Sequence, residues 1–193
     1  MATACGPGTP PMTCAPWGTP EELALRPSPY DSAMVSVGSA EAKVCYSRPA
    51  TRGRLVFGGL VPYDTLWRTG ANEPTVVHVS APAVIAGLAV QPGDYSIYTV
   101  PGLGGWSVVV NASTEQWGLT RDAVGQRGNQ FTNAYTDEVR AQEVGRAPID
   151  VRPTTFVERL TVSFGAPTGS TVELHVDWAT TRLVIPIQFT QGT

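Results

Sequence analysis

The sequence predicts an all-β fold, an antiparallel β-sandwich of about nine or ten strands with one or two short helical turns. Three observations carry this expectation. Short runs of alternating apolar and polar residues recur along the chain, with turn signals between them. The 20 glycines and 17 prolines exceed average usage and punctuate any long helix. Only 15% of residues are charged against 42% hydrophobic, so most strands have an apolar face to bury. A chain of 193 residues suffices for one domain with a real core. We expect residues 1–26 to form a Pro/Gly-rich lead and residues 27–193 the sandwich domain.

Taken in order, residues 1–18 have little to bury and read as an extended or mobile lead. Thr19, Pro20 and Glu22 supply an N-cap, a first-position proline and a capping-box glutamate, predicting a short helix over 20–26 that Pro27 stops. Strand signals begin at Met34. Residues 41–47 place Val44 and Tyr46 on one face and Lys43, Cys45 and Ser47 on the other. Further strands are expected at 75–79, 84–86, 95–100 and 106–111, with turns at Gln91-Pro92-Gly93-Asp94 and Pro101-Gly102. Residues 112–138 break the pattern and read as a flap or binding loop, with one helical turn over 113–117. Strands return at 138–144, 155–164, 171–178 and 182–189. In the last, Leu183, Ile185, Ile187 and Phe189 form the buried face and Pro186 argues for an edge.

A net charge of −3 and a pI near 5.3 give no footprint for nucleic acid. No apolar run approaches the ~20 residues of a membrane span. Near the start, Ala2-Thr3-Ala4-Cys5 resembles the tail of a lipoprotein cleavage box, with Cys5 as the lipid-bearing residue and the only expected route to a membrane. A Cys5–Cys14 disulfide is the competing reading. Both imply an exported protein, whether periplasmic, anchored in the outer membrane or extracellular. Cys45 is then left as a small buried apolar residue.

The chemistry concentrates between Tyr46 and Glu73. Only Lys43 among the 13 basic residues is lysine, and Arg48, Arg52, Arg54 and Arg68 cluster here. Guanidinium forks beside aromatic faces recognise carboxylates, phosphates or sugar rings. The candidate ligand-binding residues are Tyr46, Arg48, Arg54, Trp67, Arg68, Asn72 and Glu73, with His78 and Tyr98 nearby in strand phase. The competing reading is an internal network in which Arg and Asn satisfy loop carbonyls and Trp67 caps the core. Glu158 shares the row of Phe156, Leu160, Val162 and Phe164, predicting a buried ion pair with Arg48, Arg54 or Arg68; a solvated place at the sheet rim is the other reading. Glu173, His175 and Asp177 lie too far apart along a strand for one ion, and the histidines and cysteines show no ligand spacing. No metal and no cofactor are expected, and no nucleophile elbow, HExxH or Walker loop is present.

At these residues the chain resembles a bacterial family, domain of unknown function 2911, over about residues 27–189. The resemblance rests on Tyr46-Ser47-Arg48-Pro49, Gly53-Arg54, Phe57-Gly58-Gly59-Leu60-Val61-Pro62-Tyr63, WRTGANE at 67–73, Gly93 to Pro101, Trp106, Asn111, Trp117-Gly118, Glu158, Trp178 and Val184-Ile185-Pro186-Ile187. Pro74 departs from the pattern, as does the 119–137 excursion. The resemblance implies exported, often lipid-anchored, β-rich proteins and supplies no catalytic residues. The expected function is thus an envelope or extracellular module binding a small polar or anionic ligand, or a glycan, at the arginine-aromatic cluster. A hydrolase or lyase using Glu73 or His78, and a self-associating surface protein, are the rival readings.

Overall fold

The computed structural model describes residues 13–116 and 135–190. Nine antiparallel strands form one open sheet: β1 (Tyr30–Val37), β2 (Ala40–Ser47), β3 (Thr75–Val79), β4 (Ala83–Ile85), β5 (Leu88–Val90), β6 (Gly93–Val100), β7 (Trp106–Asn111), β8 (Glu143–Phe164) and β9 (Thr171–Phe189). Their order is β1-β2-β3-β6-β7-β8-β9-β4-β5. The all-β antiparallel expectation holds, with a single hydrogen-bonded ladder where two separate sheets were expected.

Two long strands make the difference. The first third of β8, to Ile149, pairs with β7 and the remainder, from Asp150, with β9, so one strand passes through both layers. The sheet curls until the segment after β2 meets β8: Leu160 N–H donates to Pro49 O and Thr51 N–H to Glu158 O, each at 2.9 Å. The Tyr46 hydroxyl, accepting from Val162 N–H at 3.0 Å, ties the same layers from inside.

The sandwiched core is valine-rich, with an aromatic centre. Trp67 and Trp178 stack at 5.7 Å, and Phe57 meets Trp67, Trp106 and Trp178 edge-on. Leu183, Ile185, Ile187 and Phe189 are all buried, as their alternation predicts. Pro186 does not mark an edge, because β9 lies between β8 and β4; its carbonyl accepts from Ala86 N–H where the pairing with β4 ends.

Helix α1 (Pro20–Ala24) carries the expected capping box, with Thr19 and Glu22 bonding each other's backbone. The expected strand at 138–144 instead begins with helix α2 (Asp137–Arg140), capped by Thr136. Residues 113–116 form no helical turn. The expected flap falls largely on 117–134, as Cys5 falls on 1–12, outside the described residues. The lead at 13–18 is tied down by a Cys14–Cys45 disulfide, which replaces the expected Cys5–Cys14 pairing and the unpaired Cys45. No helix among the described residues is long and apolar enough to cross a membrane.

Candidate functional site

The arginines of the 46–73 stretch are largely spent on the fold. Arg48 donates to Leu160 O (3.2 Å), Thr161 Oγ1 (3.0 Å) and Asp31 Oδ2 (3.1 Å), joining β1, β2 and β8. Arg54 donates to the carbonyls of Thr51 and Ala50, both at 2.9 Å. Trp67 sits in the core, with its indole N–H on Gly70 O at 3.2 Å. Arg68 is buried, and desolvation pulls its guanidinium down to about 10 against the favourable influence of Tyr98 and Glu73. Tyr98 is buried beside it and pushed up to about 12 by burial, so it stays a neutral donor; its oxygen accepts from Gln116 Nε2 at 2.9 Å.

The WRTGANE turn aims one carboxylate. Thr69 and Asn72 adopt positive φ (54° and 59°), a conformation that a β-branched residue such as Thr69 rarely takes. Hydrogen bonds hold it there: Thr75 Oγ1 donates to Thr69 O (2.8 Å), and Asn72 Nδ2 to Ser28 O (3.3 Å) and Ser47 Oγ (3.2 Å). The chain thereby delivers Glu73 to the entrance of β3. There its carboxylate accepts two bonds from Arg26 Nη1 (2.8 and 2.9 Å) and one from Trp17 N–H (2.8 Å). Arg26 also donates to Trp17 O, closing the lead and α1 onto the sheet.

Beside Glu73 opens a cavity of about 450 Å³. Its walls include Cys14, Trp17, Tyr30, Cys45, Glu73, His78, Asp94 and Glu115. Register explains the grouping. Lys43 lies opposite His78, and His78 opposite Asp94, in one row across β2, β3 and β6. Cys45 is two residues from Lys43 on the same strand, which makes it the diagonal, same-face neighbour of His78. The His78 Nδ1 meets the Asp94 carboxylate, and Nε2 lies 3.4 Å from Cys45 Sγ. The Asp94 carboxylate on Nδ1 fixes the ring with Nε2 turned toward the sulfur. Tyr30 on the same wall is pushed up to about 12 by burial and by the Glu73 charge, so its hydroxyl remains a donor.

Of the predicted ligand residues, only Glu73 and His78 line this cavity. Tyr46, Arg48, Arg54, Trp67, Arg68, Asn72 and Tyr98 lie outside it, bonded within the fold or around it. Glu158 makes no buried ion pair: it is exposed, accepts from the Thr51 hydroxyl and from Arg52 N–H (3.0 Å), and the Thr51 bond holds its carboxyl below the usual range. The reason is a pair of register shifts in β8, at Pro153/Val157 and Val157/Thr161, which break the alternation that placed Glu158 and Phe156 inward; Phe156 is 62% exposed. Glu173 accepts from Arg152 and meets His175 Nε2 at 2.8 Å, and Asp177 takes two 2.7 Å bonds from Arg182. Cys14, Trp17, Tyr30, Cys45 and Asp94 escaped the sequence reading. The signal for two of them, Cys45 and Asp94, lies in the cross-strand row, which requires the register to be known.

A family model described as a protein of unknown function, DUF2911, matches residues 28–187, most of the chain. The chain belongs to this family. The DUF2911 match spans the strands, the WRTGANE turn, Glu73, Cys45, His78 and Asp94, and begins after Cys14 and Trp17. No curated protein and no solved structure matches the chain.

Proposed function

We propose that this DUF2911 protein is an exported module that binds a small, neutral polar ligand of the sugar or polyol type in the cavity between the lead and β3. One observation carries the reading: the cavity joins an aromatic rim, Trp17 and Tyr30, to fixed acceptors, Glu73 and Asp94. Sugars present apolar ring faces to aromatic planes and hydroxyl donors to carboxylates. The wall carboxylates of Glu73, Asp94 and Glu115 outnumber the single Arg26 guanidinium bonded to Glu73, which disfavours an anion. Arg48 and Arg54, the obvious anion hooks, are engaged with carbonyls and Asp31. Export is supported by the Cys14–Cys45 disulfide, since such bonds persist in oxidising compartments.

The hydrolase or lyase reading gains little from this geometry. Glu73 already accepts three bonds, two from Arg26 and one from the Trp17 amide, which take up three of the four lone-pair sites a general base would draw on. A thermal-shift screen of the oxidised chain against sugars, polyols, organic acids and phosphates tests the proposal. Neutral sugars or polyols are expected to raise the melting temperature by a few degrees near a hundred times Kd, and Trp17→Ala to abolish the shift. Hits confined to the organic acids and phosphates would overturn it.

A further inference from the structure

We propose that Cys14, Cys45 and His78 form a binding site for monovalent copper when the Cys14–Cys45 disulfide is reduced. The Sγ atoms of the two cysteines and a ring nitrogen of His78 all lie within 4.8 Å of one another. Thiolate sulfur and imidazole nitrogen together suit Cu(I) and Zn(II), and structural zinc takes four protein ligands. Among the described residues no further His, Cys, Asp or Glu joins this group, so the site offers three protein ligands, which suits a three-coordinate d¹⁰ ion.

Three features prepare the site. The Asp94 carboxylate on His78 Nδ1 fixes the ring and leaves Nε2 facing Cys45 Sγ, the outer-shell arrangement found behind metal-bound histidines. Cys45 and His78 sit on adjacent paired strands, so their separation is set by the sheet. Cys14 stays close without its disulfide, because Trp17 N–H and Arg26 both hold the lead against Glu73. Two thiolates bound to one copper ion at ~2.3 Å each would stand roughly 4 Å apart, so the sulfurs need separate only modestly. The cavity gives the ion a path in from solvent.

The chemistry balances with a dithiol as reductant. A protein or small-molecule dithiol transfers two electrons and two protons to the Cys14–Cys45 bond, giving two thiols and leaving the donor as a disulfide. Cu(I) then displaces the two thiol protons to solvent and takes the Nε2 lone pair, with no change in its own oxidation state. Disulfide and copper dithiolate are thus alternative states of the same two sulfurs.

The test uses the full chain carrying Cys5→Ser, so that only these two cysteines remain. Reduced anaerobically with a phosphine, it is titrated with Cu(I) against the chelator bicinchoninate, beside an untreated oxidised sample. The expected result is one tight equivalent in the reduced chain and none in the oxidised one. X-ray absorption should show two sulfurs and one nitrogen around the copper. His78→Ala should abolish the tight equivalent, and the positioning variant Asp94→Asn should weaken it by about 10- to 100-fold while leaving the melting temperature of the metal-free oxidised chain in place. Equal copper uptake by the oxidised and reduced chains would overturn the inference. So would a disulfide that resists reduction in the folded protein, or undiminished affinity in both histidine-site variants.

Discussion

Glu73 is a buried carboxylate that accepts two bonds from Arg26 and one from the Trp17 amide, which leaves one lone-pair site for a ligand. Replacing it with alanine leaves a guanidinium, 14% exposed at its side chain, facing an empty position. We expect Glu73→Ala to cost about 2–3 kcal/mol, because it removes three hydrogen bonds, two of them from a guanidinium, that pin the lead to β3. Glu73→Gln, which keeps an acceptor, should cost clearly less. Urea denaturation of both variants checks this, and equal, small losses would contradict it. Glu143 makes a pH prediction. The Arg146 bonds hold its carboxyl below the usual range, with Tyr135 also donating. A carboxylate depressed in the folded state adds stability above its unfolded pKa, and that stability is lost as pH falls through the folded value. Stability measured from neutrality down into the acid range should therefore fall less steeply in Glu143→Gln than in the parent.

The lead and α1 act as a strap across the cavity, fastened at Cys14, Trp17 and Arg26. The disulfide closes a sequence separation of 31 residues, for which loop-closure entropy gives about 3–4 kcal/mol. We expect Cys14→Ser to lower stability by that order, and Thr19→Ala, which removes the cap of α1, by about 1 kcal/mol. Differential scanning calorimetry of the two variants ranks them. Element by element, local signals read well from sequence. The capping box at Thr19 and Glu22 involves only neighbours, and β3 and β7 have the expected bounds. Elements whose limits depend on partners did not read as well. β9 joins two expected strands and β8 extends the expected 155–164 strand back to Glu143, because the positive φ of Ala179 (53°) in β9 and the register shifts in β8 interrupt their periodicity without ending the pairing. β5, three residues long, is too short to show alternation at all.

Across the whole molecule, the polar stretch that stands out in the sequence is mostly framework, and the cavity beside it takes only Glu73 from that stretch and the rest of its wall from elsewhere. Glu73 was legible as a candidate because it belongs to the arginine-rich stretch, and His78 because it follows close by in strand phase. Cys14, Cys45 and Asp94 were not, since a disulfide across 31 residues and a row across three strands exist only after folding. The framework reading predicts that Trp178→Ala, which opens the aromatic stack with Trp67, costs about 3–5 kcal/mol. The central claim, that ligand recognition belongs to the cavity and not to the arginine cluster, is tested most directly by amide NMR of the oxidised chain titrated with a sugar or polyol found by thermal shift. The shifted amides are expected to cluster at Trp17, Tyr30, Glu73 and His78, with those of Arg48 and Arg54 unmoved. Perturbations centred on Arg48 and Arg54, with the cavity silent, would contradict it.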